Sequence, residues 1–212
     1  MLLIWYLFEG KLRMTRLQRT AKRAFDLIIS AIGLACLWWL IFVSWLLATL
    51  DTRMNGFFTQ IRIGRNGKLF KVIKIRTMRI LPQHITVVTT SQDPRITQLG
   101  RIFRKTKIDE LPQLINVLLG QMSFVGPRPD VPGFADKLSG EDKIILSIRP
   151  GITGPATLKY RNEEELLAVE SDPERYNREV IFPDKVRINR EYVQNYRFMD
   201  DIKYIVQTVL GK

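Results

Sequence analysis

From Leu27 to Leu50 the chain runs for 24 residues without a charge, more than the roughly 20 that a helix needs to cross a bilayer. The run is too long for the apolar region of a cleavable signal, and no small-residue cleavage site follows it, so the segment is expected to stay in place. Upstream, MLLIWYLFEGKLRM is either a surface-lying apolar extension or precedes a true start at Met14. Past Asp51 the period changes. TQIRIGRNGKLFKVIKIRTM alternates apolar and polar positions around Arg65-Asn66-Gly67, which predicts a β-hairpin whose turn takes positive φ. Its polar positions, Arg62, Lys68, Lys71, Lys74 and Arg76, read as a solvated face or as an anion-binding edge. Residues 79–96, with Pro82, Thr89, Thr90, Ser91 and Asp93-Pro94, read as a loop. In KTKIDELPQLINVLLG, residues 105–120, Pro112 fits a first helical turn. Asp109 and Glu110 just upstream read as caps suited to the positive end of the helix dipole, or as a reaction centre. Beyond Asn162 the chain is charged and helical in pattern. It closes on FMDDIKYIVQTVL, where Met199, Ile202, Ile205, Val206 and Val209 share one face and read as core. The fold class expected is α+β, mainly α-helical: an N-terminal membrane helix, re-entrant or spanning, and a compact domain with a β-hairpin and interfacial amphipathic helices. The divisions are a basic extension (1–23), the membrane-inserted helix (24–50) and the domain from 51 to 212.

Charge sharpens this picture. The chain carries 33 Lys and Arg against 21 Asp and Glu, a net +12, which predicts a polyanionic neighbour: nucleic acid, an anionic leaflet or a phosphorylated substrate. Residues 1–50 hold six cations (Lys11, Arg13, Arg16, Arg19, Lys22, Arg23) against Glu9 and Asp26, and residues 51–212 hold 27 against 19. Both flanks of the apolar run are basic, so a crossing would export one of them against the bias that keeps Lys and Arg cytoplasmic, whereas a re-entrant segment would not. Cys36 and His84 each stand alone. That excludes an intramolecular disulfide, a Cys-based metal site and, in practice, a His-dependent triad; His84 reads as a solvated loop residue.

Two proline-braced turns remain. In QMSFVGPRPDVPG, Pro127, Pro129 and Pro132 stiffen the backbone under Arg128, and in SIRPGITGP Arg149 precedes Pro150-Gly151. A guanidinium on a rigid support loses less entropy when it grips a phosphate, although both stretches also read as plain turn punctuation.

The segments KRAFDLIISAIGL, FFTQIRIGRNGKLFKVIKIRTM, DPRITQLGRIFRKTKIDELPQLINVLLGQMSFVGPRP and RPGITGP occur in this order over roughly residues 20–156. In order and spacing the chain resembles the bacterial sugar transferases known as monotopic phosphoglycosyl transferases. The resemblance implies transfer of a sugar phosphate from a UDP-sugar to polyprenyl phosphate at the cytoplasmic face of the bacterial inner membrane, with release of UMP, as the first membrane step of glycan assembly. It implies that Asp109 is a nucleophile forming a phosphosugar-aspartyl intermediate, that Glu110 helps to hold Mg²⁺, and that Arg104, Arg128 and Arg76 bind or surround phosphates; Arg149 joins them as a substrate-binding candidate. The expected partners are the UDP-sugar, polyprenyl phosphate and membrane lipid, without nucleic acid, and a homodimer is left open. One departure stands out: the family breaks its membrane helix at a Ser-Pro pair, and the matching positions here are Trp38 and Trp39. Gly33 and Ser44 remain as weaker kink candidates. The rival reading is a membrane-anchored basic binding protein without catalysis. It needs no particular carboxylate and would interleave aromatics with its basic residues.

Overall fold

The computed structural model describes residues 14–81, 89–90 and 92–211. The apolar opening, His84, Pro82 and Ser91 lie outside these residues. One helix, α1 (Arg16–Thr52), takes in the second part of the basic extension and the whole apolar run without interruption. Thr15 starts it with a reciprocal cap, its hydroxyl accepting from the Gln18 N–H at 3.2 Å while the Gln18 side chain accepts from the Thr15 N–H at 2.8 Å. At about 1.5 Å per residue α1 is about 55 Å long, and by length and composition it could cross a membrane.

The amphipathicity of α1 is inside-out. The stripe facing the rest of the protein is mostly polar or small: Lys22, Asp26, Ser30, Ser44, Ala48 and Thr52, with Ile41. Its large apolar residues, among them Ile28, Ile32, Trp38, Trp39, Phe42 and Leu50, are exposed. Water does not select such a surface, whereas lipid does. Gly33 lies where α1 crosses helix α3 (Gln113–Leu118), and a Cβ there would come within 3.1 Å of Leu114.

The hairpin forms as its pattern predicts. β1 (Phe57–Ile63) pairs antiparallel with β2 (Leu69–Ile75), and Asn66 and Gly67 in the turn take φ of 57° and 74°. Asn116 of α3 closes the free edge of β2: its carbonyl accepts from the Ile73 N–H at 3.0 Å and its amide donates to the Lys71 carbonyl at 2.8 Å. Helix α2 (Gln98–Thr106) follows the loop, and a second, parallel pair joins β3 (Ser123–Val125) to β4 (Gly151–Thr153). The two proline-braced turns meet there so closely that a Cβ on Gly126 would stand 2.5 Å from the Arg149 carbonyl.

The rest is helical: α4 (Pro155–Lys159), α5 (Glu163–Ala168), α6 (Pro173–Tyr176), α7 (Phe182–Gln194) and α8 (Phe198–Leu210). Apolar clusters lie between α1, α2 and β2 (Ala48, Phe103, Ile75), between β2 and α3 (Val72, Val117, Met122) and under α7 (Val125, Ile148, Tyr192, Val193).

Helix α8 corrects one expectation. Its apolar stripe is core only in part: Ile202 and Ile205 are half-buried, Ile205 against the cluster of Tyr192 and Val193, while Met199, Val206 and Val209 are exposed. The packed face instead carries Asp201, 1% exposed, which accepts from Lys22 of α1 and from the hydroxyls of Tyr192 (2.6 Å) and Tyr196 (3.1 Å). A carboxylate with three donors settles the rotation of the helix, because leaving it unpaired in the interior costs more than exposing a few methyl groups.

Candidate active site

Helix α2 ends at Lys107, a residue with a side chain in the left-handed region (φ 59°). Such a conformation costs on the order of 1 kcal/mol. It turns the chain into a single 3₁₀ turn, Ile108–Glu110, closed by bonds from the Glu110 N–H to the Lys107 carbonyl and from the Leu111 N–H to the Ile108 carbonyl, both 3.1 Å. Ile108 packs against the cluster of Ala48, Ile75 and Phe103, which anchors the turn. Asp109 and Glu110 are then carried inward, 7% and 9% exposed. Neither caps the helix that follows: α3 starts behind Pro112 with no side-chain cap, so the capping reading of this pair does not hold.

The two neighbours sit in opposite electrostatic surroundings. Glu110 accepts from Lys74 of β2 at 3.0 Å and from Arg128 at 2.7 Å. Burial acts against its charge, but Arg128 and Lys74 together hold its carboxyl well below the usual range. Arg128 is held charged in return by Glu110. Asp109 has no comparable partner, and its Oδ1 is buried without a hydrogen bond. Burial, with Glu110 adding to it, raises its carboxyl to about 6 against the counter-pull of Lys74, Arg104 and Lys107. Burial outweighs all three cations. The result is an ionised carboxylate at neutral pH, more basic than an exposed one, with one oxygen uncommitted.

The predicted arginines divide into two groups. Arg128 reaches Glu110, and Arg104, near the end of α2, lies close enough to Asp109 to stabilise its charge while ion-pairing with Glu164 of α5. Arg76 is elsewhere, bound to the Asn55 carbonyl at 2.7 Å and seated 5.5 Å from the centre of the Phe58 ring, where it fastens the hairpin to the end of α1. Arg149 lies beyond the opposite end of α3 from the carboxylates; it donates to the Gly120 carbonyl at 2.7 Å, beside Arg23, which binds the Val117 and Leu118 carbonyls. There both cations meet the negative end of a helix dipole.

Lys74 is the site residue that the sequence reading did not single out. It was one of five hairpin cations; only the register that places Val72 and Lys74 on the face toward α3 turns it inward. A second inward group, Asp130 of the proline-braced turn, is raised to about 6 by burial, with Lys185 and Arg62 opposing. Arg62 donates to the Pro129 carbonyl at 3.0 Å, so this cation too belongs to the site's support and not to a solvated face.

A metal would find few protein ligands. Among the described residues there is no group of three or more acidic, His or Cys side chains that could hold one. One or two carboxylates with water and substrate phosphate oxygens do suit Mg²⁺, however, and Glu110, with both cations on its Oε1, fits that donor set through its other oxygen.

Comparison with known families decides what kind of site this is. The family model for bacterial sugar transferases matches residues 17–211. The chain belongs to the bacterial sugar transferases. Such a transferase is an enzyme, which displaces the reading as a non-catalytic basic binding protein. The sugar transferase is 31% identical over 205 residues to the exopolysaccharide production protein ExoY of Sinorhizobium fredii, covering 89% of this chain and 84% of the relative. It is 32% identical to the UDP-glucose:undecaprenyl-phosphate glucose-1-phosphate transferase of Escherichia coli, over 90% of this chain and 40% of the relative. It is 30% identical to the undecaprenyl-phosphate galactose phosphotransferase of Salmonella typhimurium, over 96% of this chain and 44% of the relative.

Proposed function

We propose that this sugar transferase moves a sugar phosphate from a UDP-sugar to polyprenyl phosphate through a covalent intermediate on Asp109. The observation that carries the reading is the contrast between adjacent carboxylates: Glu110 locked by Lys74 and Arg128, Asp109 buried with an unpaired oxygen. In the first half-reaction an Asp109 oxygen attacks the sugar-bearing phosphorus; the new P–O bond forms as the bond to the bridging oxygen breaks, and UMP leaves. In the second, a phosphate oxygen of the polyprenyl acceptor attacks the same phosphorus, the bond to Asp109 breaks and the carboxylate is regenerated. Arg104 and Arg128 place positive charge on both sides of the pair, where a diphosphate needs it. Glu110, whose Oε1 takes both Lys74 and Arg128, would hold Mg²⁺ through its other oxygen, and the ion supplies charge neutralisation that lets an anionic nucleophile meet an anionic diphosphate. Splitting one exchange into two displacements at one centre is what a buried, weakly solvated carboxylate suits.

The same reading places α1 in the cytoplasmic leaflet of the inner membrane, with both of its ends on the cytoplasmic face. Its two ends, about 38 Å apart from Arg23 to Ala48, both pack on the one polar domain. Asp26 accepts from Ser123 and the Phe124 N–H, each at 3.1 Å, while Thr49 accepts from the Gly56 N–H at 2.9 Å and Ala48 packs on Ile75 and Phe103. The exposed apolar faces of α1 and α8 supply the lipid contact.

Incubation of the full chain, in bilayer discs, with radiolabelled UDP-sugars and undecaprenyl phosphate tests the reaction. Labelled lipid and UMP should appear, lost on chelation and restored by Mg²⁺, and Asp109→Asn should abolish transfer. Release of UDP, or substantial turnover by Asp109→Asn, would refute the covalent phosphosugar route.

A further inference from the structure

Helix α5 opens with three consecutive glutamates, and two of them sit on cations at the edge of the site. Glu164 ion-pairs with Arg104, and Glu163 pairs with Lys185 of α7 at 2.6 Å. The third, Glu165, is exposed. The short helix is pinned from below by Leu167, 2% exposed. Arg104 is thus one of the cations that stabilise Asp109 on one side, and on the other it is covered by a carboxylate from another element. Its side chain is 22% exposed and that of Glu164 43%, so the glutamate can swing into water at little desolvation cost while the arginine stays where it is.

A donor diphosphate approaching Asp109 meets Arg104 already occupied. It must bring enough negative charge to take the guanidinium from a carboxylate, and an uncharged or weakly charged ligand cannot do so. Glu163 on Lys185 and the buried Leu167 anchor α5 beside Arg104.

We propose that Glu164 is the resting occupant of a phosphate subsite on Arg104 and a specificity-determining residue, admitting donors only through exchange against phosphate charge. The proposal rests on the transfer reading above for the identity of the ligand, a nucleoside diphosphate ester, but its test does not need turnover.

The test is calorimetric titration of the full chain in bilayer discs with UDP and with uridine, comparing the unaltered chain, Glu164→Gln and Glu165→Gln. Removing a competing, partly exposed ion pair should tighten UDP by up to about fivefold in Glu164→Gln, the upper end of what such pairs contribute. Glu165→Gln makes the same change in net charge away from Arg104 and should leave UDP affinity unchanged, and uridine should bind alike to all three. Glu164→Ser repeats the measurement if the glutamine variant folds poorly. Equal or weaker UDP binding in the Glu164 variants, or equal tightening in Glu165→Gln or for uridine, would overturn the exchange. A chain whose UDP affinity responds as stated yet transfers nothing to undecaprenyl phosphate leaves the exchange standing and refutes the transfer reading alone.

Discussion

At the scale of single residues, the site sets reactivity against stability. The carboxyl of Asp109 is raised from 3.8 to about 6 by burial and by Glu110. A folded-state value above the unfolded one means that the folded protein holds this proton more tightly. The associated stability is complete below pH ~4 and is lost as the pH rises through about 6. At neutral pH the ionised aspartate therefore costs up to about 3 kcal/mol, at 1.36 kcal/mol per unit. Asp109→Asn should be inactive yet more stable than the unaltered chain at pH 7, with the difference vanishing toward pH 4; paired denaturant melts across that range check it, and a variant less stable at pH 7 would contradict the burial argument. The carboxylate pair was legible in the sequence because DE stands beside a cation cluster and before a helix. Its asymmetry was not, since Lys74 lies 36 residues upstream of Glu110 and Arg128 18 residues downstream, and nothing local marks either as its partner.

At the scale of elements, local patterns carried the hairpin and the long apolar helix, and long-range polar pairs decided the rest. Asn66-Gly67 announces its turn because few other residues take two successive positive φ values. Helix α8 shows the opposite case: its apolar stripe pointed to core, but with Asp201 bonded to Lys22, Tyr192 and Tyr196 only Ile202 and Ile205 of that stripe turn partly inward, and Met199, Val206 and Val209 are exposed. The Lys22 to Asp201 contact, 179 residues apart in sequence, joins α8 to the first turns of α1. Asp201→Asn should cost about 3–5 kcal/mol by stranding the buried ammonium, and Lys22→Met a similar amount by stranding the carboxylate. Thermal melts of the two single variants and the double should then give a double-variant loss well below the sum. Additive losses would mean that the pair is not coupled, and that the packing of α8 on α1 rests on Phe25 against Phe198, with ring centres 5.5 Å apart, and on the tyrosines.

At the scale of the whole molecule, the question is how a helix of 37 residues without a proline sits in a bilayer. The sequence supplied two opposed signals: basic flanks on both sides, which favour one face, and Trp38-Trp39 in place of a kink pair, which favours an unbroken crossing. Helix α1 is indeed unbroken, so the second signal was read correctly as to backbone. What the sequence could not contain is that Arg23 and Asp26 near one end, and Trp45, Ala48 and Thr49 near the other, all seat on the same domain. Crossing the bilayer would tear one of these sets away, exposing Asp26 or the Ala48 cluster, besides exporting cations. On the proposed reading the membrane receives the outward face of α1, with Trp38 and Trp39 exposed at the middle of the apolar run, while the polar stripe stays on protein. In a Cys36→Ser background, single cysteines at Arg16 and at Arg65 should both resist a membrane-impermeant thiol reagent added to intact cells, and both should react once the inner membrane is opened. Labelling of the Arg16 site alone in intact cells would mean that α1 spans, and that its contacts with Ser123 and Phe124 do not survive insertion.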